Sequence, residues 1–192
     1  MTGNDKLPQK LIQLRRQKEL TIEELSQRSG VCAEQIARLE AGELAPSLTP
    51  LIKIARGLGV RLGTFLDDEP HSSPVVTKSG SSGTVMRFAG ENKPSEGSEL
   101  DFVSLAGQKK DRHMEPFLID VKPAKTDKYK LSSHEGEEFI YVISGQIEIC
   151  YGKDVYELSS GDSIYYDSVV PHNLHSKGTQ TAKILAVVYA PF

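Results

Sequence analysis

The 192-residue sequence has no tryptophan, only two cysteines and no long apolar run. The cysteines, Cys32 and Cys150, lie far apart, which argues against the framework of disulfides that staples small secreted domains. No window approaches the ~18 apolar residues of a membrane-spanning helix, and residues 1–10 lack the apolar core of a signal peptide. We therefore expect a cytoplasmic protein with reduced thiols.

An excess of charge of one sign is also missing, because 23 basic and 26 acidic residues leave a formal net charge of −3. The charges are unevenly distributed along the chain. Residues 1–66 hold 10 Lys and Arg against 7 Asp and Glu, a balance of +3, which leaves 13 against 19, a balance of −6, for the remainder. A basic first third is compatible with a polyanionic partner, whereas the acidic remainder is not.

The first 66 residues have apolar side chains at helical spacing, separated by helix start and stop signals. Thr21 and Glu24 form a capping-box pattern, which predicts a helix from about Ile22 to Ser29, and Gly30 can adopt the positive φ of a helix end. Similar patterns predict helices over residues 7–20, 33–41 and 50–58. We therefore predict a small all-α bundle for residues 1–66.

The run from Leu20 to Val60 resembles the helix-turn-helix domain of the phage-repressor and Cro type, also called the XRE family. The resemblance rests on Gly30-Val31, on the L-E-x-G of Leu39–Gly42, on Pro46-Ser47 and on the L-G-V of Leu58–Val60. It implies that the helix from Ala33 to Ala41 enters the major groove of a DNA operator, and that a homodimer places two such helices on two half-sites. The candidate DNA-contacting residues are Gln27, Arg28, Ala33, Glu34, Gln35 and Arg38.

Two further positions follow from the same resemblance. The family pairs the positions of Arg15 and Glu40 in a salt bridge between helices, so we expect structural roles for both. Cys32 replaces the Ser or Thr that usually caps the recognition helix, which removes a capping hydroxyl.

Residues 67–83 are rich in Ser, Gly and Pro and are predicted to form a linker. From residue 84 to residue 192 the apolar pattern changes from helical spacing to alternation. Eight short β-type runs are punctuated by turn segments, with no long helix between them. We predict a second domain that is an all-β barrel or double sheet of the jelly-roll type.

Two histidines and one carboxylate occur beside these β-type runs. His134 and Glu138 lie at the start of one apolar run, and His172 follows another. Neutral imidazole nitrogens and a carboxylate oxygen form a set that suits a divalent metal with open coordination positions. If residues 171–176 alternate as a strand, His175 points away from His172 and belongs to the rim.

The spacing His134-x3-Glu138-x6-Gly145, followed by Gly161-Asp162 and Pro171-His172, resembles the two motifs of the cupin family. The resemblance implies a jelly-roll domain in which His134, Glu138 and His172 are the metal ligands. Ser132 stands where the family has its first histidine. The implied cofactor is a divalent metal, Fe, Zn, Ni or Mn, and the alternative is a cupin that binds its ligand without metal.

A barrel of this size can enclose one small effector molecule. The candidate lining residues are Ser132, Phe102, Phe117, Tyr141, Tyr151 and Tyr165. Aromatic side chains on strands also form ordinary cores, and alternation alone leaves open which face is inside.

The domain combination resembles bacterial transcriptional regulators in which the barrel binds an effector and the helices bind double-stranded DNA. The alternative is a non-haem iron oxygenase, because the run from His134 to Phe139 resembles a segment of hydroxypropylphosphonate epoxidases. Those enzymes place tyrosines on an early strand, where this sequence has Phe102 and Ser104. The recognition pattern and the positive balance of the helical domain favour the regulator.

Overall fold

The computed structural model describes residues 6–44, 47–66, 74–78, 85–88, 100–123 and 131–191. Within these ranges, five helices are followed by nine strands. The predicted two-domain architecture, an all-α helix-turn-helix bundle and an all-β cupin-like domain, is confirmed. Of the predicted linker, only residues 74–78 are described, and they form neither helix nor strand. No described helix is long and apolar enough to cross a membrane.

The helices begin and end close to the predicted residues. They are α1 (Leu7–Gln17), α2 (Ile22–Ser29), α3 (Ala33–Glu40), α4 (Leu48–Leu58) and α5 (Gly63–Leu66). The capping box forms at the start of α2, where the amide of Glu24 donates to Thr21 Oγ1 over 3.1 Å and the amide of Thr21 donates to Glu24 Oε2 over 2.7 Å. Gly30 ends α2 with a φ of 70°.

The helical core consists of leucine and isoleucine side chains from α1 to α4, closed by Leu62 and Phe65 at the end of the bundle. Its buried members include Leu7, Leu11, Leu25, Ile36, Leu39, Leu51, Ile54, Leu58 and Leu62. Helix α4 packs very close to α2 at Gly57, because a Cβ there would lie only 3.0 Å from the Cβ of Ser29. The two helices are therefore expected to move together.

The β domain consists of two antiparallel sheets. The strands are β1 (Val85–Phe88), β2 (Leu100–Ser104), β3 (Met114–Val121), β4 (Glu137–Ser144), β5 (Gln146–Tyr151), β6 (Asp154–Ser159), β7 (Ser163–Asp167), β8 (His172–Ser176) and β9 (Ala182–Tyr189). One sheet has the order β1-β2-β3-β9-β4-β7 and the other has the order β6-β5-β8. Strand β8 has a single apolar residue, Leu174, among its five. The pattern of apolar residues in the sequence therefore does not by itself predict this strand.

The core of the β domain follows from the alternation of its longest strands. Along β3 and β9 every second side chain is buried, as expected for strands with one face against an apolar interior. Phe102 and Phe117 meet edge to face inside the domain, with ring centroids 5.5 Å apart. The inward faces of β2, β3 and β9 are thereby defined.

Candidate metal centre and recognition helix

The three predicted metal ligands come from three separate parts of the chain and meet between the two sheets. Glu138 is the second residue of β4, His172 is the first of β8, and His134 lies in the loop before β4. Backbone hydrogen bonds hold this loop: the amides of Ser132 and His172 each donate to the other's carbonyl over 2.9 Å. The amide of His134 donates to the carbonyl of Ser168 over 3.0 Å.

The side chains of the triad converge on one carboxylate oxygen. His134 Nε2 lies 2.8 Å from Glu138 Oε1, and His172 Nε2 lies 3.5 Å from the same oxygen. All three residues are buried, and each offers one ligand atom within 4.8 Å of the other two.

Backbone carbonyls orient both imidazole rings. His134 Nδ1 donates to the carbonyl of Glu135 over 3.0 Å, and His172 Nδ1 donates to the carbonyl of Val170 over 2.8 Å. Because a carbonyl can only accept, each Nδ1 carries a hydrogen. An Nε2 that donates to the Glu138 carboxylate carries a second hydrogen, which makes that ring cationic, and a bound metal would take the place of this second hydrogen. Histidine ligands of metals usually donate their other ring hydrogen in this way. The donor set therefore fits a divalent metal held by two Nε2 atoms and one carboxylate oxygen.

Two side chains absent from the sequence-based prediction complete the surroundings of Glu138. The hydroxyl of Tyr166 donates to Glu138 Oε2 over 2.8 Å, and the hydroxyl of Ser168 donates to Oε1 over 3.3 Å. Tyr166 lies directly opposite Glu138 in the pairing of β7 with β4. The sequence signal was the adjacent pair Tyr165-Tyr166, but only the register shows which tyrosine faces the site.

The protonation of the site follows from burial and mutual contact. Burial alone would raise the pKa of Glu138, but the hydrogen bonds and charges of His134 and His172 outweigh it and lower that pKa. For His172, burial lowers the pKa, and the contact with Glu138 more than compensates and raises it. Burial, followed by the charge of Glu138, raises the pKa of Tyr166 well above its ordinary value. Glu138 is thus ionised at neutral pH beside a tyrosine that keeps its hydrogen.

The aromatic residues that were predicted to line an effector pocket lie partly on the inner and partly on the outer faces of the sheets. Phe102 and Phe117 are buried in the core, and Tyr151 lies inside, with its ring centroid 5.3 Å from that of Tyr166. The prediction is wrong for Tyr141 and Tyr165, which are 41% and 63% exposed. Both project from the outer face of their sheet, because they alternate with inward-facing neighbours on β4 and β7.

Two other predicted positions have contacts that the sequence did not indicate. The hydroxyl of Ser132 accepts a hydrogen bond of 3.2 Å from Thr49 Oγ1 of α4, so the position of the missing cupin histidine touches the helical domain. His175 does point away from His172, but it is buried rather than on the rim, and its Nε2 lies 3.3 Å from Glu148 Oε1. Burial lowers the pKa of His175, which Glu148 only partly offsets.

The predicted DNA-contacting residues lie on α2 and α3. Gln27, Arg28, Glu34 and Arg38 are exposed, whereas Ala33 and Gln35 are half-buried. The recognition helix is attached to α1 by the expected salt bridge, in which Arg15 donates to both carboxylate oxygens of Glu40 over 2.6 and 2.7 Å. Cys32 stands at the N-cap of α3 without a side-chain capping bond, as its lack of a hydroxyl predicts.

Two family models match the two domains. A helix-turn-helix model matches residues 11–65, and a cupin-domain model matches residues 117–188. The first match contains the recognition helix, and the second contains all three candidate metal ligands.

Comparisons with individual proteins over most of the chain give the same architecture. The chain is 24% identical over 181 residues to the HTH-type transcriptional regulator SutR of Escherichia coli (strain K12). This alignment covers 94% of this chain and 93% of the relative. It is 29% identical over 160 residues to (S)-2-hydroxypropylphosphonic acid epoxidase of Streptomyces wedmorensis. That alignment covers 77% of this chain and 76% of the epoxidase. The crystal structure of an HTH_3 family transcriptional regulator from Vibrio cholerae shares the fold, with a TM-score of 0.67 at 22% identity over 98% of this chain and 97% of that one. The chain therefore joins an N-terminal helix-turn-helix domain of the XRE type to a C-terminal cupin domain.

Proposed function

We propose that the protein is a sequence-specific DNA-binding transcriptional regulator whose cupin domain binds a small-molecule effector. The observation that carries the proposal is the occurrence, in one chain, of an exposed recognition helix and a buried His-Glu-His cluster in a cupin fold. The full-length similarity to a named transcriptional regulator supports it. Binding to chromosomal DNA would place the protein in the cytoplasm.

On the DNA side, each candidate residue has a chemical role that its exposure allows. Glu34 can accept a hydrogen bond from cytosine N4, and Ala33 can contact a thymine methyl group. Gln27 and Arg28 have the hydrogen-bond donors for phosphate contacts. Arg38 can contact a base edge or the nearby backbone, and Gln35 is a further candidate for base contact. A homodimer would place two copies of α3 on two half-sites about one helical turn apart.

On the effector side, His134, Glu138 and His172 would hold a divalent metal, with Tyr166 and Ser168 orienting the carboxylate. The metal would act as a Lewis acid toward an oxygen atom of the effector. The hydroxyl of Ser104, on the same face of β2 as Phe102, is buried and has no hydrogen-bond partner among the described residues. It is a polar group that a bound effector can satisfy.

The test is a gel-shift titration with DNA from upstream of the protein's own gene, repeated at several salt concentrations. We expect a specific complex whose log affinity falls linearly with log salt concentration. Arg38→Ala should weaken the complex, and Lys183→Ala, which removes a cation of β9 paired with Asp120, should not. Absence of specific binding above the non-specific background at every salt concentration would contradict the proposal.

A second candidate function is that of a non-haem iron oxygenase, favoured by the triad and by the similarity to the epoxidase from S. wedmorensis. The inward position of Phe102 counts against it, because a ring packed on Phe117 offers no hydroxyl to a substrate. Anaerobic loading with Fe(II), followed by oxygen uptake over a panel of small acids and phosphonates, tests this candidate. Substrate-dependent uptake that His134→Ala abolishes would establish it.

A further inference from the structure

A cleft of about 250 Å³ lies between helix α4 and the loop that carries His134. Ile52, Lys53 and Arg56 form its helical wall, because positions three and four residues apart share one face of a helix. Its other wall consists of Ser133, His134, Glu135 and Val169. The cleft thus has the helix-turn-helix domain on one side and a candidate metal ligand on the other.

Two cations, Lys53 and Arg56, face the cleft, and among the described residues only Arg56 has an anionic partner. Arg56 forms an ion pair with Glu135, in which both side chains are largely exposed, at 39% and 50%. Lys53 is half-buried and forms neither an ion pair nor a side-chain hydrogen bond with any residue in the described ranges. The charges that line the cleft therefore sum to +1, and they would sum to +2 if the Glu135 carboxylate turned out to solvent.

The same helix touches the surroundings of both histidine ligands. Glu135 supplies the carbonyl that accepts from His134 Nδ1. Thr49, about two turns before Arg56 on α4, donates to Ser132, whose backbone pairs with that of His172. A change in how α4 sits on the cupin domain is therefore transmitted to residues adjacent to two of the three candidate metal ligands.

We propose that this cleft binds a small oxyanion, a carboxylate or a phosphate, between Lys53 and Arg56. The anion takes the place of the Glu135 carboxylate as the partner of Arg56. A guanidinium and an ammonium one turn apart match two oxygen atoms of one anionic group. Because exposed ion pairs are weak, the Arg56–Glu135 contact is easily exchanged for the new one. A cleft of this volume is smaller than the ~300–1,000 Å³ pockets of drug-sized ligands, so the ligand is a small acid.

The location of the cleft links the anion to DNA binding, a consequence that rests on the proposed regulatory function. Helix α4 packs closely on α2 at Gly57, and α2 leads directly into the recognition helix. An anion that releases Glu135 removes one of the contacts that hold α4 on the cupin domain. It changes DNA affinity to the extent that it binds the two domain arrangements differently.

The anion site is tested without DNA, by calorimetric titration of the full chain with inorganic phosphate and with acetate at constant ionic strength. Metal is first removed by a chelator and dialysis, so that anions bound to metal do not contribute. We expect saturable binding of at least one probe, weakened roughly tenfold or more by the double variant Lys53→Met and Arg56→Met. Methionine keeps most of each aliphatic stem, and unchanged circular dichroism would show that the fold is intact.

Two further variants separate a binding site from a general effect of charge. Glu135→Gln should tighten binding, because it frees Arg56 and leaves the backbone carbonyl beside His134 in place. Lys177→Met, which removes an exposed cation paired with Glu157 on another part of the β domain, should leave binding unchanged. No saturable binding by wild type and Glu135→Gln, or equal binding by wild type and the double variant, would overturn the proposal.

A gel-shift experiment distinguishes failure of the proposed anion site from failure of the proposed regulatory function. Gel shifts with wild type and Glu135→Gln, each with and without the anion that bound, should show an anion-dependent change in DNA affinity. Anion binding with unchanged DNA affinity would support the site and overturn its link to DNA. If the anion binds but no specific DNA complex forms, the site stands and the proposed regulatory function fails.

Discussion

Glu138 is the residue on which the candidate metal centre depends most, because four side chains meet its two carboxylate oxygens. His134, His172 and Ser168 contact one oxygen, and the hydroxyl of Tyr166 donates to the other. A buried carboxylate is costly unless its charge is compensated. Imidazoles that donate from Nε2 are cationic and provide that compensation, and a divalent metal bound in place of those hydrogens would provide it as well.

Replacing Glu138 by Gln should reduce metal affinity by roughly 100-fold or more, because the amide has the shape of the carboxylate without its charge. The measurement is a competition titration between the protein and a chelating dye, with Zn²⁺ and with anaerobic Fe²⁺. His113→Ala is the control, because His113 is exposed and outside the triad. Equal metal affinity of Glu138→Gln and wild type would exclude Glu138 as a ligand.

Tyr166→Phe should weaken metal binding by about 10- to 100-fold while leaving the ring in the core, because the variant loses only the hydroxyl that orients Glu138. Tyr165→Phe is the matched control, since the neighbouring hydroxyl pairs with Glu137 on the outer face of the sheet. The same chelator competition gives both values. A similar loss in the two variants would show that the hydroxyl of Tyr166 has no specific role in positioning Glu138.

At the scale of the element, the helix ends differ in how they are capped. Helix α2 begins with a complete capping box, whereas the N-caps of α3 and α4, Cys32 and Ser47, make no side-chain capping bond. Helix α3 is held instead by its packing and by the Arg15–Glu40 salt bridge. The start of α2 is thus stabilised by hydrogen bonds within its own first turn, while the position of the recognition helix α3 depends on tertiary contacts.

Thr21→Ala should lower the free energy of unfolding of the helical domain by about 1 kcal/mol, because the amide of Glu24 loses its acceptor. Ser47→Ala is the matched control, and we expect a smaller change, since the Ser47 side chain makes no capping bond. Urea unfolding followed by the helical circular dichroism signal measures both. Equal losses for the two variants would contradict a specific role for the capping box.

At the scale of the whole molecule, the helical domain touches the cupin domain through α4 and again through the segment around α5. Arg61 donates to the carbonyl of Arg112 over 3.1 Å, and Arg112 forms a buried ion pair with Glu115, with 2.6 Å between Nη2 and Oε2. Gly63 lies against this pair, since a Cβ there would be 2.6 Å from Arg112 Nη2. The absence of a side chain at Gly63 allows this close approach.

Gly63→Ala should loosen the attachment of the helical domain and destabilise the molecule by about 1–3 kcal/mol, because the new methyl group displaces a buried guanidinium from its partners. Thr64→Ala, at the next residue of α5, is the control. Small-angle X-ray scattering and thermal unfolding would show a larger radius of gyration and an earlier transition for Gly63→Ala alone. Unchanged values for that variant would mean that the contact at Gly63 does not hold the domains together.

The helices, the apolar strands and the chemistry of the candidate sites could be predicted from the amino-acid sequence alone. Capping signals and glycines located the helices, alternation located the apolar strands, and the two cupin-like motifs contained the three metal-ligand candidates. These features depend on near neighbours in the chain, so that a single sequence is sufficient to find them.

The faces on which side chains lie and the contacts between distant segments could not be predicted, because they depend on how the strands pair and how the domains pack. The register of β7 against β4 directs Tyr166 rather than Tyr165 to Glu138, and a shift of one residue would exchange them. The contact of Thr49 with Ser132 and the cleft beside Arg56 join residues about 80 positions apart. Such pairings result from the packing of two complete domains, and therefore no local pattern in either segment encodes them.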